Sequence, residues 1–356
     1  MVTADKLDEL QLEPEVPELD LSWLNLDTEW GVSAEPGRKG LTLQQINKTL
    51  YGEIPSSSED SSARPRGAAA PDGVTPRMSP WVLNDATETF SDSAALLYDE
   101  AVSRQWSSAT DIPWDTLEEL PEDIERAMAQ LCTSLTEVEF IAGDVPGQWL
   151  PHISGDEFEV GLFLMSQIMD EARHTDVFRK RALANGGGLL QQGAGLGLRN
   201  LIEAQDFTEM SVLMHVQAEG FVQSMFRMGE LIGPTQADKR IFRMAAQDES
   251  RHLAFGVMHL KHVLAETPER REEIHHYLDK AEERSAGGGS GDVTFPPVFE
   301  SLCILLGGGK DRFDEGVAKF LLLRRRQVKE YLHRLDVAGL GDRRERLGSA
   351  LAQYAN

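Results

Sequence analysis

The chain has 356 residues, a formal net charge of −24 at pH 7 and 41% hydrophobic residues. The acid excess argues against nucleic-acid binding and against docking on anionic membranes, because both need clusters of Lys and Arg. The two cysteines, Cys132 and Cys303, exclude a cysteine-rich zinc site and a disulfide scaffold. No signal peptide or apolar segment of transmembrane length is present, so the sequence predicts a cytoplasmic protein that binds neither nucleic acid nor membrane.

Residues 1–84 are predicted to form an N-terminal extension with a flexible linker. Positions 55–80 are rich in Ser, Ala and Pro, so they bury too little apolar surface to offset the entropy lost on ordering. Positions 41–50 are compatible with a short amphipathic helix. The apolar residues between Trp23 and Trp30 are compatible either with an arm that docks on the core or a partner, or with a loosely held tail.

Residues 85–356 are predicted to form one all-α domain, because helical periodicity dominates and alternating strand patterns are nearly absent. Long helices are expected at 116–142, 158–183, 207–231 and 238–264, with further helices at 298–306 and 312–335. Loops rich in glycine are expected at 184–200 and 285–297. The pattern predicts a bundle of long helices around one core.

Two copies of one pentapeptide lie on the second and fourth long helices. The sequence Asp170-Glu171-Ala172-Arg173-His174 recurs as Asp248-Glu249-Ser250-Arg251-His252. Positions i and i+3 of a helix lie about 5–6 Å apart on one face, so each copy brings a carboxylate and an imidazole together. Two Glu-x-x-His motifs, with one glutamate from each of two other helices, form the ligand set of dinuclear-metal carboxylate bundles.

The two further glutamates are expected on the first and third long helices. Glu219 lies among apolar residues of the third helix. On the first helix Glu139 lies on the apolar stripe, whereas Glu137 points about 160° away, so Glu139 is favoured and Glu137 is the alternative. Two divalent cations would offset four buried carboxylates, which are costly when unpaired. The predicted metal ligands are Glu139, Glu171, His174, Glu219, Glu249 and His252.

The charged residues beside these ligands are expected to support them. A histidine that binds metal usually donates its second ring N–H to an acceptor, and Asp170 and Asp248 lie one helical turn before the two histidines. Arg173 and Arg251 are expected to pair with these aspartates and balance their charge. Oxygen-rich sites with imidazole ligands favour iron or manganese over structural zinc.

These motifs resemble the ferritin-like dinuclear-metal carboxylate proteins, which include ribonucleotide reductase small subunits, bacterial multicomponent monooxygenases and arylamine N-oxygenases. The segment from Asp248 to Val257 is most similar to the last-helix motif of the ligand-binding oxidases related to the reductase small subunit. Glu219-Gly220 and the segment from Leu97 to Trp114 are similar to theirs as well. The resemblance covers roughly 95–335. It implies a ferritin-like four-helix bundle with additional helices, and a cofactor of two metal ions, Fe/Fe or Mn/Fe.

Several side chains near the predicted metals depart from these relatives. Phe178 occupies the position of the radical tyrosine of reductase small subunits. Met214 and Ile141 correspond to the tyrosine and valine that form an ether cross-link in the ligand-binding oxidases, and Ala245 to an extra histidine of the arylamine N-oxygenases. His215 is either a satisfied core histidine or part of the site. The predicted pocket residues are Ile141, Phe178, Met214 and His215.

The resemblance implies an oxidoreductase that uses O₂ as co-substrate on a small, partly apolar organic molecule. No glycine-rich nucleotide motif follows a strand, so electrons are expected from an external donor. A homodimer is also expected. Two alternatives stay open, namely a reductase small subunit with a metal-centred oxidant, which Phe178 permits, and a non-catalytic metal-binding protein.

Overall fold

The computed structural model describes residues 18–58, 63–69, 81–192, 199–285 and 297–355. Parts of the predicted extension and linker (1–17, 59–62 and 70–80) lie outside the described residues. The same holds for 193–198 and 286–296 within the two predicted glycine-rich loops, and for Asn356. The regular structure of the described residues is helical, apart from isolated β-bridges. No helix in these ranges is both long and apolar enough to cross a membrane.

Eight helices of ten or more residues build the described part of the chain. The fourth is continuous through three segments, of which the middle one is a π-helix. The eight helices are α1 (Ala94–Ser103), α2 (Glu122–Trp149), α3 (Phe158–Ala184), α4 (Phe207–Ser211, Val212–Ala218 and Glu219–Ile232), α5 (Gln236–Glu266), α6 (Arg271–Ser285), α7 (Pro297–Gly307) and α8 (Phe313–Ala338). Shorter helical turns are Ser22–Asn25, Leu43–Ile46, Leu50–Gly52, Ala86–Thr89, Trp114–Thr116, Leu150–His152, Gly155–Glu157, Arg199–Ile202, Pro268–Arg270, Lys310–Arg312, Arg343–Arg346 and Ser349–Ala352.

Local side chains define where the bundle helices begin and end. At the start of α4 the Asp206 carboxylate accepts a hydrogen bond of 2.8 Å from the Glu209 backbone N–H. At the start of α5 Thr235 and Asp238 form a capping box. Both arrangements satisfy backbone N–H groups that the first turn leaves unpaired. α8 ends at Gly339, whose φ of 93° is favourable for glycine.

The helices α2 to α5 form the bundle, and the additional helices cover it. α2 packs along α3, and α4 packs along α5. α7 lies against α2 and α8, while α8 also contacts α4 and α5. The described buried apolar residues form three clusters, two within the bundle and one between α4, α5, α6 and α8. The prediction of an all-α bundle with additional helices is confirmed.

Two elements differ from the sequence prediction. α2 continues beyond 142 to Trp149, through Pro146 and Gly147, because Val145 and Trp149 pack into the core. Burial therefore outweighs the low helix propensity of these residues. The sequence pattern does not predict α6, because this helix is strongly polar and buries only a narrow stripe that includes Ile274.

Part of the predicted N-terminal extension lies on the helical domain. The Arg66 guanidinium is buried, pairs with Glu159 on α3 at 2.7 Å, and donates to the backbone oxygen of Asp156 at 2.6 Å. Trp23 and Trp30, in contrast, are 61% and 95% exposed, so this apolar segment is not docked on the core. The division into an extension and a domain stays a prediction.

Two helical glycines offer a matched test of the bundle packing. A Cβ added at Gly229 on α4 would lie 2.6 Å from Cγ of Phe242 on α5. A Cβ at Gly147 on α2 would meet only Ile168 Cδ1, at 3.9 Å. We expect Gly229→Ala to lower the free energy of unfolding by about 1–3 kcal/mol through overpacking. Gly147→Ala should raise it by up to about 1 kcal/mol through helix propensity. Urea unfolding followed by circular dichroism measures both, and equal effects would contradict the described packing.

Candidate metal centre

The six predicted ligands meet at the centre of the bundle, and each residue is at most 4% exposed. Glu137 lies elsewhere on α2, where it accepts a hydrogen bond of 3.2 Å from Gln192. The structure therefore brings together Glu139 and not Glu137 with the other five. The residues come from all four bundle helices: Glu139 from α2, Glu171 and His174 from α3, Glu219 from α4, and Glu249 and His252 from α5.

The ligand atoms form two overlapping groups. Within each group every atom lies within 4.8 Å of the others. The first group consists of Glu139, Glu171, His174 and Glu249, and the second of Glu171, Glu219, Glu249 and His252. Each group therefore offers three carboxylates and one imidazole. Glu171 and Glu249 belong to both groups, so their carboxylates lie between two potential cation positions.

The Nδ1 atom of each histidine faces the carboxylates. Nδ1 of His174 lies 3.2 Å from Glu171 Oε2 and 3.4 Å from Glu139 Oε2. Nδ1 of His252 lies 3.1 Å from Glu171 Oε1 and 3.6 Å from Glu219 Oε1. The nitrogen available to a cation is therefore Nδ1 in both rings.

The centre contains buried polar atoms without a hydrogen-bond partner in the described part of the chain. Buried polar groups that lack a partner are costly, and ionised carboxylates most of all. Cations held between these atoms would remove that cost, and oxygen ligands combined with imidazole suit iron or manganese. The residues present therefore fit two divalent cations. The unpartnered atoms are Glu139 Oε1, Glu171 Oε1, Glu219 Oε2, Glu249 Oε2 and His252 Nδ1.

Burial and neighbouring groups move the pKa values of the cluster in opposite directions. Burial raises the pKa of Glu219 to about 8 and raises that of Glu139 well above its usual value. Burial also acts to raise the pKa of Glu171, but the neighbouring imidazoles of His174 and His252 lower it to about 2. Burial favours neutral imidazoles, yet the surrounding carboxylates hold the pKa of both histidines well above the usual value. The cluster thus attracts positive charge.

The far side of each imidazole contacts an aspartate from the other pentapeptide. Nε2 of His174 lies 3.2 Å from Asp248 Oδ2, and Nε2 of His252 lies 3.2 Å from Asp170 Oδ2. Spacing along one helix suggests that each aspartate serves its own histidine. The structure instead pairs them crosswise, between α3 and α5. An Nε2–H that donates to the aspartate leaves the Nδ1 lone pair free for a cation.

Both arginines bridge both aspartates. Nη2 of Arg251 lies 2.7 Å from Asp170 Oδ2 and 2.6 Å from Asp248 Oδ1. Arg173 pairs with Asp170 and lies 3.1 Å from Asp248 Oδ2. The two positive and two negative charges cancel within this network. With neutral imidazoles, as metal binding requires, the charge that remains at the centre is that of the ionised glutamates.

Two further side chains, not expected from the sequence motifs, contact the centre and this network. Trp106 donates its ring N–H to Asp248 Oδ2 at 2.7 Å. Gln167 donates to Glu219 Oε1 at 2.9 Å, and its own Oε1 lies 3.2 Å from Nε2 of His215. Gln167 lies one turn before the first pentapeptide among apolar residues, which is a signal for a buried role. Trp106 precedes the bundle helices, so no helical periodicity marks it.

A π-helical segment, Val212–Ala218, leads directly into Glu219. Such segments often occur at functional sites, and they rotate the following side chains relative to a regular α-helix. His215 lies within it, fully buried, with Nδ1 3.0 Å from Ser211 Oγ. Burial lowers the pKa of His215 well below its usual value, so the ring is neutral. It is a core histidine that reaches Glu219 through Gln167.

Three of the four predicted pocket residues are divided between two apolar core clusters. Phe178 packs in one bundle cluster, with its ring centre 5.4 Å from that of Phe226. Met214 and Ile141 belong to the other bundle cluster. Ile141 also lines a surface cavity of about 520 Å³ between α2, α3 and the segment after α3.

No protein-family model and no curated protein matches the chain. Solved structures do match it. Two variants of an R2-like ligand-binding oxidase, with Mn/Fe cofactors reconstituted aerobically and anaerobically, each give a TM-score of 0.51. Their identities are 18% and 19%, over 68% of this chain and 92% of theirs. The chain has the fold of these oxidases. The predicted ferritin-like bundle with additional helices is therefore confirmed.

The crosswise network makes a prediction for stability. We expect Arg251→Met to lower the free energy of unfolding by about 3–5 kcal/mol, because it leaves Asp170 and Asp248 buried with too little positive charge. Arg243 on the same helix is 54% exposed and pairs with Glu230 at the surface. Arg243→Met should cost less than about 1 kcal/mol. Chemical unfolding of metal-free protein measures both, and a loss of similar size in the two variants would contradict the assigned network.

Proposed function

We propose that the chain is an O₂-activating oxidoreductase that binds two metal ions, Fe/Fe or Mn/Fe, between the six ligands. The observation that carries this proposal is the pair of overlapping carboxylate and imidazole groups, which contain unpartnered buried atoms. The oxidases that share the fold are described with Mn/Fe cofactors, which supports this choice of metals.

The four glutamates and two histidines would hold the ions in two overlapping groups. Glu139 and Glu219 each belong to one group, whereas Glu171 and Glu249 belong to both and would help to hold both ions. Four carboxylates neutralise the four positive charges of two divalent ions. The aspartates keep the imidazoles oriented through Nε2, so Nδ1 points inward. The bound pair of ions would supply the redox chemistry that reduces O₂ and oxidises the substrate.

Aromatic rings enclose the centre and exclude water from it. The ring centre of Phe163 lies 6.4 Å from that of His252, and the ring centre of Phe226 lies 6.5 Å from that of His174. Phe178 packs behind Phe226 and adds no hydroxyl group to the site. A dry, apolar surround keeps an oxidant from reacting with water, so that it is used on the bound substrate.

We propose that a small, partly apolar substrate approaches through the cavity beside Ile141. Its volume of about 520 Å³ lies within the range of about 300–1,000 Å³ that is usual for small-molecule pockets. Phe140, Ile141, Leu189 and Leu190 give it apolar walls. Ile141 also packs against the core cluster that contains Met214, and it lies two residues after Glu139. The cavity therefore adjoins the part of α2 that carries a ligand.

Two reactions open to such a centre would require an electron donor outside the chain. Inserting one oxygen atom of O₂ into a C–H bond and releasing the other as water consumes two external electrons and two protons. Reducing O₂ fully to water while removing two electrons and two protons from the substrate also needs two external electrons and two protons. The separate donor and the homodimer expected from the sequence stay predictions.

Metal uptake tests the proposal. We expect the purified protein, reconstituted with Fe(II) or with Fe(II) and Mn(II), to hold two ions per chain and to consume O₂ when reduced. Glu249→Ala should lose both ions, because this carboxylate belongs to both groups. Glu139→Ala should weaken the first position, since it removes one of that group's three carboxylates. Elemental analysis and O₂ consumption give the readouts.

Glu137→Ala is the matched control on the same helix. Glu137 accepts a hydrogen bond from Gln192 and lies outside both groups, so two ions per chain should be retained. Loss of metal from Glu137→Ala but not from Glu139→Ala would show that the ligand on α2 is misassigned. A wild-type protein that binds neither iron nor manganese would overturn the proposal.

A further inference from the structure

One buried arginine lacks the partner that all the others have. Six arginines are buried in the described part of the chain. Five of them form an ion pair with a carboxylate: Arg66 with Glu159, Arg173 with Asp170, Arg181 with Glu125, Arg251 with Asp170 and Arg343 with Glu282. The sixth, Arg334 on α8, is 8% exposed, and its Nε and Nη2 atoms are buried without a hydrogen-bond partner.

The neighbouring acid on α8 does not supply the missing partner. Glu330 lies one turn before Arg334, but its Oε1 accepts from Arg326 at 2.8 Å and its Oε2 from Ser224 at 2.6 Å. Burial lowers the pKa of Arg334 only to about 10, so the guanidinium stays charged at neutral pH. A buried guanidinium whose N–H groups lack acceptors is strongly unfavourable, because its lost hydration is not replaced.

The backbone of α4 is shaped to receive this guanidinium. An added Cβ at Gly220 would lie 2.3 Å from Nη2 and 2.6 Å from Cζ of Arg334. Only glycine therefore lets the planar group lie against α4 at this position. Gly220 directly follows Glu219, so the guanidinium sits next to a ligand residue of the metal centre while remaining outside the ligand set.

We propose that Arg334 is the anchor of a binding site for an oxyanion, namely the carboxylate or phosphate group of a small molecule. The guanidinium is a planar fork of donors that matches both groups with two parallel hydrogen bonds. An anion bound there supplies the missing counter-charge and accepts from the unpartnered nitrogens. Arg334 is 8% exposed as a residue, so part of it reaches solvent. The site does not depend on metal at the centre.

Anion titration of metal-free and metal-loaded protein tests this site. The probes are acetate, octanoate and inorganic phosphate, with sodium chloride at equal ionic strength as the reference. We expect a saturable rise in the midpoint of thermal unfolding and a matching binding isotherm by calorimetry for at least one oxyanion. Arg334→Met should weaken that binding at least about tenfold, since it removes charge-assisted hydrogen bonds.

Arg325→Met is the matched control, because Arg325 is exposed on the same helix. It should bind the anion as the wild type does. Without added anion, Arg334→Met should be at least as stable as the wild type, because it removes an unpaired buried charge. Arg334→Lys keeps the charge without the planar fork and should bind with intermediate affinity, which provides a second variant if the methionine variant fails to fold.

The results of these experiments distinguish an acid with an apolar chain from a free anion. They also test the anion site separately from the metal centre. Tighter binding of octanoate than acetate indicates the acid group of a molecule with an apolar chain, whereas equal binding of the two, or preference for phosphate, indicates a free anion. Absence of saturable binding by the wild type, or equal binding by Arg334→Met, would overturn the site. Loss of anion binding in a variant that still holds two metal ions would leave the metal proposal intact.

Discussion

The need to compensate four buried carboxylates governs the organisation of this bundle. Water cannot stabilise the glutamates at the centre, so the surrounding side chains must do so. The aspartates and arginines of the pentapeptides do not contribute net charge, because the two arginines cancel the two aspartates within one network. The imbalance that remains belongs to the glutamates, and it equals the charge of two divalent cations. The charges of the aspartates are therefore balanced by the arginines, and the charges of the glutamates would be balanced separately by two divalent cations.

The helical architecture follows from bringing these groups together. Each bundle helix contributes at least one predicted ligand, so the four helices must approach closely around the centre. Small residues make this possible at particular contacts. A Cβ at Gly256 on α5 would lie 2.4 Å from Cβ of His215, and a Cβ at Gly143 on α2 would lie 3.4 Å from Cβ of Glu171. The outer helices α6 and α8 then cover the side of α4 and α5 that faces away from the centre.

Much of this centre could be predicted because helical periodicity specifies which side chains share a face. The twin pentapeptides and the apolar stripe around Glu139 needed no knowledge of how the helices pack. Helical periodicity does not predict contacts between helices, so the crosswise pairing of Asp170 with His252 could not be predicted from the sequence. The π-helical segment before Glu219 breaks the regular period itself. Arg334 looks like part of an ordinary amphipathic helix, and only packing against α4 reveals that it has no partner.

The ring N–H of Trp106 removes the near-symmetry of the two pentapeptides. Asp248 accepts from this indole as well as from an imidazole and the arginines, whereas the described residues provide Asp170 with no equivalent aromatic donor. On the opposite side, Gln167 donates to Glu219, and Glu139 has no such amide donor among the described residues. The two groups of predicted ligands thus have the same chemical types but different hydrogen-bond partners. Two unlike ions bound in this bundle would therefore have a preferred order, imposed by hydrogen bonds that lie outside the ligand set.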